Sequence, residues 1–321
     1  NAIINWVKQR YDLVVAKEMI NFVPGIVPGI GMAMNCFTQK GDKVMIQPPV
    51  YHPFAWVTTR NERTLVTNPL KWENGMYRMD LDTFREQIKG CKLFILCNPH
   101  NPGGVVWTEA ELRAIADICY DEKVLVFSDE IHADLTLPPH THRPFATVSE
   151  KARMNSVTFM SPSKAFNMPG LSASHALIFN EDLRKRFRIY MDAGELDMGH
   201  VFAFLSVEAA YSHGTEWLDQ CLAYIQGNID FVDDFLKNHA PKIKAIRPEA
   251  SYLVWLDCRE LKLSQKDLNE FFVDKAHLAL NDGEMFGKEG IGFMRLNVAS
   301  PRCIIEKAMK QLADAYQLYI K

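Results

Sequence analysis

Residues 92–130 read KLFILCNPHNPGGVVWTEAELRAIADICYDEKVLVFSDE, with two short apolar runs on either side of an amphipathic segment. Thr108 followed by Glu111 has the spacing of a capping box, which predicts that a helix begins there. The apolar face of that helix consists of Leu112, Ile115, Ala116 and Cys119. A strand, a helix and a second strand in this order predict two parallel strands, because the helix returns the chain to the same end of the sheet.

The same alternation extends outward from about Met19 to Phe179. Further short apolar runs predict strands at 43–46, 64–66, 156–160 and 175–179. They favour an α/β fold with a mostly parallel central sheet covered by helices. After a helix-rich region that is interrupted at His213-Gly214, the remaining residues have the pattern of a smaller α+β unit. We therefore predict a large domain at 1–212 and a small domain at 213–321.

Composition narrows the class of protein. The chain has 321 residues, of which 48% are hydrophobic, and a net charge of -3. There is no basic run, so we expect a small-molecule partner and no nucleic acid. The seven cysteines form an odd set without a CxxC motif, which favours reduced thiols and a cytoplasmic location.

The ends of the chain carry two further expectations. No stretch approaches the ~18 apolar residues that a bilayer span requires, so no membrane partner is expected. The first residues lack the layout of a signal peptide. The sequence opens inside an amphipathic pattern without a methionine, which predicts that an N-terminal arm is missing.

Polar motifs follow three of the predicted strands. They are Asn98-Pro99-His100-Asn101-Pro102, Ser128-Asp129-Glu130-Ile131-His132 and Ser161-Pro162-Ser163-Lys164. In doubly wound sheets the ligand site lies at the carboxyl ends of the strands, so we expect these motifs to converge on one crevice.

The three motifs contain the groups that would hold an aldehyde cofactor with a pyridine ring and a phosphate. Lys164 would form a Schiff base, and the hydroxyls of Ser161 and Ser163 would bind phosphate. Asp129 would pair with a protonated pyridine nitrogen, which would also relieve its repulsion from Glu130, and Asn101 would donate to the phenolic oxygen. These features predict pyridoxal 5'-phosphate. Taken singly, each motif could instead be an ordinary polar turn.

Four weaker signals concern positions around these motifs. The amides of Ile26 and Val27 open a predicted helix and could bind the phosphate. Tyr51 could stack on the cofactor ring or pack in the core. His132 could contact the cofactor or complete a turn. Arg295 could bind a substrate carboxylate or form a salt bridge with a neighbouring acid.

A possible metal site is a separate question. His140 and His142 have a His-x-His spacing, but no third ligand is evident in the sequence. We therefore favour a loop at these residues over a metal site.

Together these motifs resemble fold-type I pyridoxal phosphate enzymes of the class I/II aminotransferase superfamily. The resemblance implies an aspartate aminotransferase-like fold and a homodimer with active sites near the subunit boundary. It also implies that Lys164 carries the Schiff base, that Asn101 binds the ring oxygen and that Asp129 binds the ring nitrogen. Arg295 ends the pattern that begins at Phe286-Gly287, so the resemblance assigns it to the substrate carboxylate.

Within the superfamily, Ser128-Asp-Glu-Ile-His132 and Pro49-Val-Tyr51 are similar to the MalY/PatB subgroup of cystathionine β-lyase-type carbon–sulfur lyases. His132 and Ser172 stand where aspartate aminotransferase-like members often have tyrosine and arginine. The resemblance implies cleavage of L-cystathionine or a related cysteine S-conjugate to pyruvate, ammonia and a thiol. Two alternatives stay open: transamination of an amino acid, and a regulatory role in binding another protein.

Overall fold

The computed structural model describes residues 1–319 and contains a central sheet of seven strands. The strands of the large region are β1 (Ile20–Val23), β2 (Lys43–Ile46), β3 (Thr64–Thr67), β4 (Lys71–Glu73), β5 (Met76–Arg78), β6 (Cys91–Cys97), β7 (Leu125–Asp129), β8 (Ser156–Met160) and β9 (Ser174–Leu177). The order across the sheet is β1-β9-β8-β7-β6-β2-β3, and only β9 runs against its neighbours. The predicted α/β fold with a mostly parallel sheet is confirmed, while β4 and β5 form a separate hairpin.

Helices cover both faces of this sheet. In order they are α1 (Ala2–Tyr11), α2 (Ile26–Phe37), α3 (Pro53–Arg60), α4 (Leu81–Gln87), α5 (Glu109–Asp121), α6 (Glu150–Met154), α7 (Glu181–Ala193) and α8 (Val201–His213). Successive strand residues enter different cores: Val126 packs in one buried cluster and Phe127 in another. Burial on both faces explains why the strands are continuously apolar.

The predicted start of α5 is present in atomic detail. The amide of Glu111 donates to Thr108 Oγ1 at 3.2 Å, and the amide of Thr108 donates to Glu111 Oε2 at 2.8 Å. This capping box satisfies two amides that the helix itself leaves without partners. It fixes the return path of the chain from β6 to β7.

A second, antiparallel sheet lies in the C-terminal part of the chain. Its strands are β10 (Lys244–Ile246), β11 (Leu253–Asp257), β12 (Asn281–Asp282) and β13 (Phe293–Asn297), in the order β10-β11-β13-β12. The helices here are α9 (Thr215–His239), α10 (Gln265–Glu270) and α11 (Arg302–Tyr319). One hydrophobic cluster contains Met160 of β8, Leu177 of β9 and Val254 of β11, so buried contacts connect both sheets. A domain boundary at residue 212 stays a prediction.

No helix among the described residues is long and apolar enough to cross a bilayer. All seven cysteines have free thiols. Cys91, Cys97, Cys119 and Cys258 are buried, as expected of thiols that pack in a core, whereas Cys303 is exposed.

Candidate active site

A cavity of about 420 Å³ lies where the carboxyl ends of β6, β7 and β8 meet the N-terminus of α2 and the second sheet. All the predicted site residues except Ser161 line it: Ile26, Val27, Tyr51, Asn101, Asp129, His132, Ser163, Lys164 and Arg295. The expected convergence of three strand ends therefore occurs. The geometry also brings in Arg295 from β13, which lies more than 120 residues along the chain from these strand ends.

Asp129 is the last residue of β7, and its carboxyl group faces the cavity. Its side chain is 3% exposed and accepts one hydrogen bond, from the amide of Ile131 at 3.1 Å. Burial is the main cause that raises the pKa of Asp129 to about 7, and the neighbouring Glu130 raises it further. A cationic ligand beside this carboxyl group would favour its ionised form.

Glu130 corrects one expectation from the sequence. Its side chain points away from the cavity and accepts hydrogen bonds from Ser128 Oγ and the Phe145 amide, both at 2.8 Å, while His142 Nε2 lies 2.8 Å from its other oxygen. Protein groups already supply hydrogen bonds to both oxygens of the Glu130 carboxylate. A ligand is therefore not needed at Glu130 to offset the repulsion between the two acids. His142 lies in a loop, as predicted; its side chain is buried and makes this contact, although the neighbouring Thr141 and Arg143 are exposed.

Lys164 lies beyond the end of β8 and reaches the same cavity as Asp129. Burial is the largest influence on its amine and lowers its pKa, and the nearby charge of Arg295 lowers it further. Asp129 acts in the opposite direction. A lysine with a lowered pKa is more easily deprotonated, as a Schiff-base lysine must be.

Arg295 has no acidic partner in the part of the chain that the structure describes. No carboxylate among residues 1–319 forms an ion pair with it; its Nη1 donates to Asn101 Oδ1 at 2.9 Å and its Nη2 to Asn281 Oδ1 at 2.7 Å. Its Nε is buried and has no hydrogen-bond partner in the same range. The salt bridge that the sequence left open is therefore absent. Because Asn101 presents its oxygen to Arg295, its amide nitrogen is left to donate elsewhere in the cavity.

The N-terminus of α2 forms another wall of the cavity. Gly25 precedes the helix with φ of 143°, a conformation that glycine adopts without strain, and Ile26 and Val27 are the first two helical residues. Their amides have no partner within the helix, so this end suits an anion. Ser163 faces the same space, whereas Ser161 lies behind it and is within 2.8 Å of both Ser163 Oγ and the Ala173 carbonyl.

Two rings border the centre of the cavity. Tyr51 follows β2 and is partly buried, with Phe54 packed edge-on against it at 5.7 Å. His132 is 4% exposed, and its pKa is lowered to about 3, chiefly by burial, so its ring is neutral. The Nδ1 atom of His132 is buried without a hydrogen-bond partner in the described part of the chain.

These residues fit pyridoxal 5'-phosphate. An amine, a carboxyl group and an amide are presented to one cavity, and the neutral His132 ring retains an unused nitrogen. The N-terminus of α2 and Ser163 provide donors for a phosphate. Ser172 also lines the cavity, so hydroxyls and amides would provide much of the anion binding there.

The cavity residues that the sequence did not predict include His52, Cys97, Tyr252 and Asn297. Asn297 could have been found, since it lies two residues after Arg295 and side chains two apart share a face of a strand. His52 is adjacent to Tyr51. Nothing in the local sequence of Tyr252 indicates that β11 packs over the cavity.

The sequence favours a loop over a metal site at His140 and His142. Within residues 1–319 no group of three or more potential metal ligands is clustered.

Comparison with known proteins gives the family. The family of class I and II aminotransferases matches residues 1–312. The chain is 38% identical to cystathionine beta-lyase PatB of Bacillus subtilis, covering 98% of this chain and 82% of that protein. It is 29% identical to protein MalY of Escherichia coli, covering 98% and 80%. The chain belongs to the class I and II aminotransferase family, and within it to the MalY/PatB-type subgroup.

Solved structures agree with this assignment. The crystal structure of cystalysin from Treponema denticola, which contains pyridoxal 5'-phosphate, superposes with a TM-score of 0.97 at 34% identity and covers 100% of this chain and 82% of its own. A PLP-bound putative aminotransferase from Clostridium difficile 630 superposes with a TM-score of 0.96 at 39% identity, covering 98% and 82%. The aspartate aminotransferase-like fold is thereby confirmed.

Proposed function

We propose that the protein is a pyridoxal phosphate-dependent carbon–sulfur β-lyase that cleaves L-cystathionine or a related cysteine S-conjugate to pyruvate, ammonia and a thiol. One observation carries the proposal: Lys164, Asp129 and Arg295, which has no acidic partner among residues 1–319, line the same cavity. The names of PatB and of other cystathionine β-lyase relatives support the same reaction.

The assignment of residues to the cofactor follows from the walls of the cavity. Lys164 would hold the aldehyde carbon, Asp129 the ring nitrogen, and the amide of Asn101 the ring oxygen, with His132 beside it. Ser163 and the amides of Ile26 and Val27 would hold the phosphate, and Tyr51 would cover a face of the ring. When bound, the cofactor accepts the electron pair that is released at the substrate Cα.

The protein's own groups would control the proton and the leaving group. Arg295 would bind the substrate α-carboxylate through its planar fork, because no acid in the described residues competes for it. The amine of Lys164, once free, would remove the Cα proton as a general base. Loss of the thiolate from Cβ would then break the carbon–sulfur bond, and hydrolysis of the remaining enamine would give pyruvate and ammonia.

The test is turnover of L-cystathionine without any keto acid. We expect sustained formation of pyruvate and thiol. We also expect Lys164→Ala to lose both turnover and the visible absorbance of the lysine-bound cofactor. Turnover that requires an added keto acid would instead establish transamination, and a fully active Lys164→Ala protein would remove the proposed role of the lysine.

We further propose that the protein is a cytoplasmic homodimer. Support comes from α8, where Val201, Phe202, Phe204 and Leu205 are each more than half exposed. Exposed apolar side chains in such number on one helix are typical of an interface between chains. Light scattering should show a dimer, and Phe202→Glu should shift it toward the monomer. A monomeric wild type would contradict this assembly.

A further inference from the structure

A second cavity of about 330 Å³ lies beside the active cavity, and His52 lines both of them. One side of the second cavity is formed by Ile46 and Thr67, the last residues of β2 and β3, and by Trp56 of α3. The opposite side is a turn of the second sheet, residues 284–289. The two cavities are therefore neighbours that share an imidazole ring.

Aromatic side chains connect Arg295 to this second cavity. The Arg295 guanidinium lies 4.6 Å from the centre of the Phe286 ring, whose centre is 5.8 Å from that of His52. The His52 ring in turn packs edge-on against Trp56 at 4.3 Å. A substrate with its carboxylate on Arg295 therefore has its remaining atoms within reach of His52.

The turn that forms the far wall is fixed against the loop that carries Tyr51. The Val50 amide donates to the Phe286 carbonyl at 2.8 Å. Gly287 has φ of 124°, and a Cβ atom there would lie 2.8 Å from Pro48 Cβ, so this position requires glycine. The second cavity is thus built from two segments that also define the active cavity.

The charged side chains of the second cavity are available to bind a ligand. Glu284, Lys288 and Glu289 line it, and none of them forms an ion pair with another group in the described chain. The Nδ1 atom of His52 is buried and also lacks a hydrogen-bond partner among residues 1–319. Apart from Thr67, the other walls are apolar or aromatic. One cation and two acids above an apolar wall match a ligand that has methylene groups and ends in both a carboxylate and an ammonium group.

We propose that this cavity is a subsite for the sulfur substituent of the substrate, and that it selects a substituent ending in an amino acid group, as in cystathionine. The inference rests on the proposed lyase function and deepens it. The substituent passes His52; Lys288 then binds the distal carboxylate, and Glu284 or Glu289 binds the distal ammonium group.

The experiment compares two substrates that present the same carbon–sulfur bond to the enzyme: L-cystathionine, and S-ethyl-L-cysteine, which has no distal charges. Both are assayed with the wild-type holoenzyme, with Lys288→Ala and with Lys310→Ala, an exposed lysine of α11 that serves as a matched control. We expect Lys288→Ala to raise the KM for cystathionine about two- to fivefold, the range of an exposed ion pair. Its kcat, and kcat/KM for S-ethylcysteine, should not change.

A charge reversal and a binding measurement complete the test. Lys288→Glu should raise the KM for cystathionine further than Lys288→Ala does. Calorimetric titration of cystathionine into Lys164→Ala, with and without Lys288→Ala, should show the same loss of affinity without turnover. Equal effects on both substrates, or none, would overturn the subsite while the lyase function stands. If the wild type cleaves neither substrate, the proposed function fails and the subsite fails with it.

Discussion

Asp129 and Glu130 are adjacent and almost equally buried, at 3% and 1% exposure, yet they belong to different regions of the molecule. Asp129 faces the active cavity, where a single amide donates to it. Glu130 faces a cluster behind the sheet, where it bonds to Ser128, His142 and the amide of Phe145. The burial of the two carboxyl groups is alike, and their hydrogen bonding is not.

The difference distinguishes a group kept for a ligand from a group used by the fold. A buried polar atom costs free energy when it lacks partners, so most are satisfied within the protein. Within residues 1–319, Arg295 Nε, His132 Nδ1 and His52 Nδ1 are buried around the active cavity without hydrogen-bond partners. Other such atoms lie elsewhere, His142 Nδ1 among them, but these three lie where a bound ligand would supply the missing contacts. The comparison predicts opposite effects for substitutions at the two acids.

Asp129→Asn should have the largest effect, and it should fall on activity. The amide has the same shape and retains the contact with Ile131, but it cannot carry the negative charge that would hold a protonated ring nitrogen. We expect kcat for pyruvate formation from cystathionine to fall by roughly 10²–10⁴-fold. The free energy of unfolding of the cofactor-free protein should not decrease. A variant with near wild-type turnover would show that the carboxylate is not needed at the ring.

Glu130→Ala should instead lower stability. It would leave Ser128, His142 and the Phe145 amide without their shared acceptor in a buried site. Each buried donor that is left without an acceptor costs about 1–3 kcal/mol. Urea unfolding would measure the loss, with the exposed Glu122→Ala as the control. Unchanged stability together with lost turnover would place Glu130 in the chemistry and erase the contrast with Asp129.

The sequence predicts the residues that face the cavity better than it predicts the contacts around Glu130. Lys164, Asp129 and Asn101 follow apolar runs, and parallel strands bring their carboxyl ends to one edge, so their meeting could be anticipated. The capping box at Thr108 likewise located α5 to the residue. Local sequence is sufficient where a backbone pattern fixes the position of a side chain.

Contacts between distant segments could not be predicted in the same way. Nothing in the sequence around His142 shows that it returns to Glu130, because a loop without periodic pattern separates them. The packing of Tyr252 over the cavity depends on how the second sheet docks. The reversed direction of β9 is also invisible, since an apolar run does not state its direction.

The pH dependence of stability offers a smaller test of the same contrast. The pKa of Asp129 is raised from 3.8 to about 7, mainly by burial, so the cofactor-free folded state retains a proton that the unfolded chain has lost. Its contribution to stability is therefore present below about pH 4 and is lost as the pH rises toward 7. The Asp129→Asn variant has no carboxyl group at this position, so its stability does not decrease in this way as the pH rises. Between pH 4 and 7 the variant should gain roughly 2–4 kcal/mol relative to wild type.

Only the difference between the two proteins isolates Asp129. The pKa values of His100 and His132 are lowered to about 3, chiefly by burial, so both side chains destabilise the folded state as the pH falls below 6.5. That contribution has the opposite sign but is common to both proteins. Urea unfolding at several pH values would measure the difference, and a constant difference across the window would show that Asp129 titrates normally.

Ser161→Ala should have the smallest effect and tests whether support behind the cavity matters. The hydroxyl of Ser161 accepts from the Ser163 amide at 3.1 Å and lies 2.8 Å from Ser163 Oγ, so it orients the hydroxyl that faces the cavity. Loss of one such hydrogen bond costs about 1 kcal/mol, which corresponds to roughly fivefold weaker binding of pyridoxal phosphate. Titration of the cofactor-free protein would measure it, with Ser206→Ala on α8 as the control. Equal affinity in the variant and the control would mean that Ser163 needs no help from Ser161 to bind the phosphate.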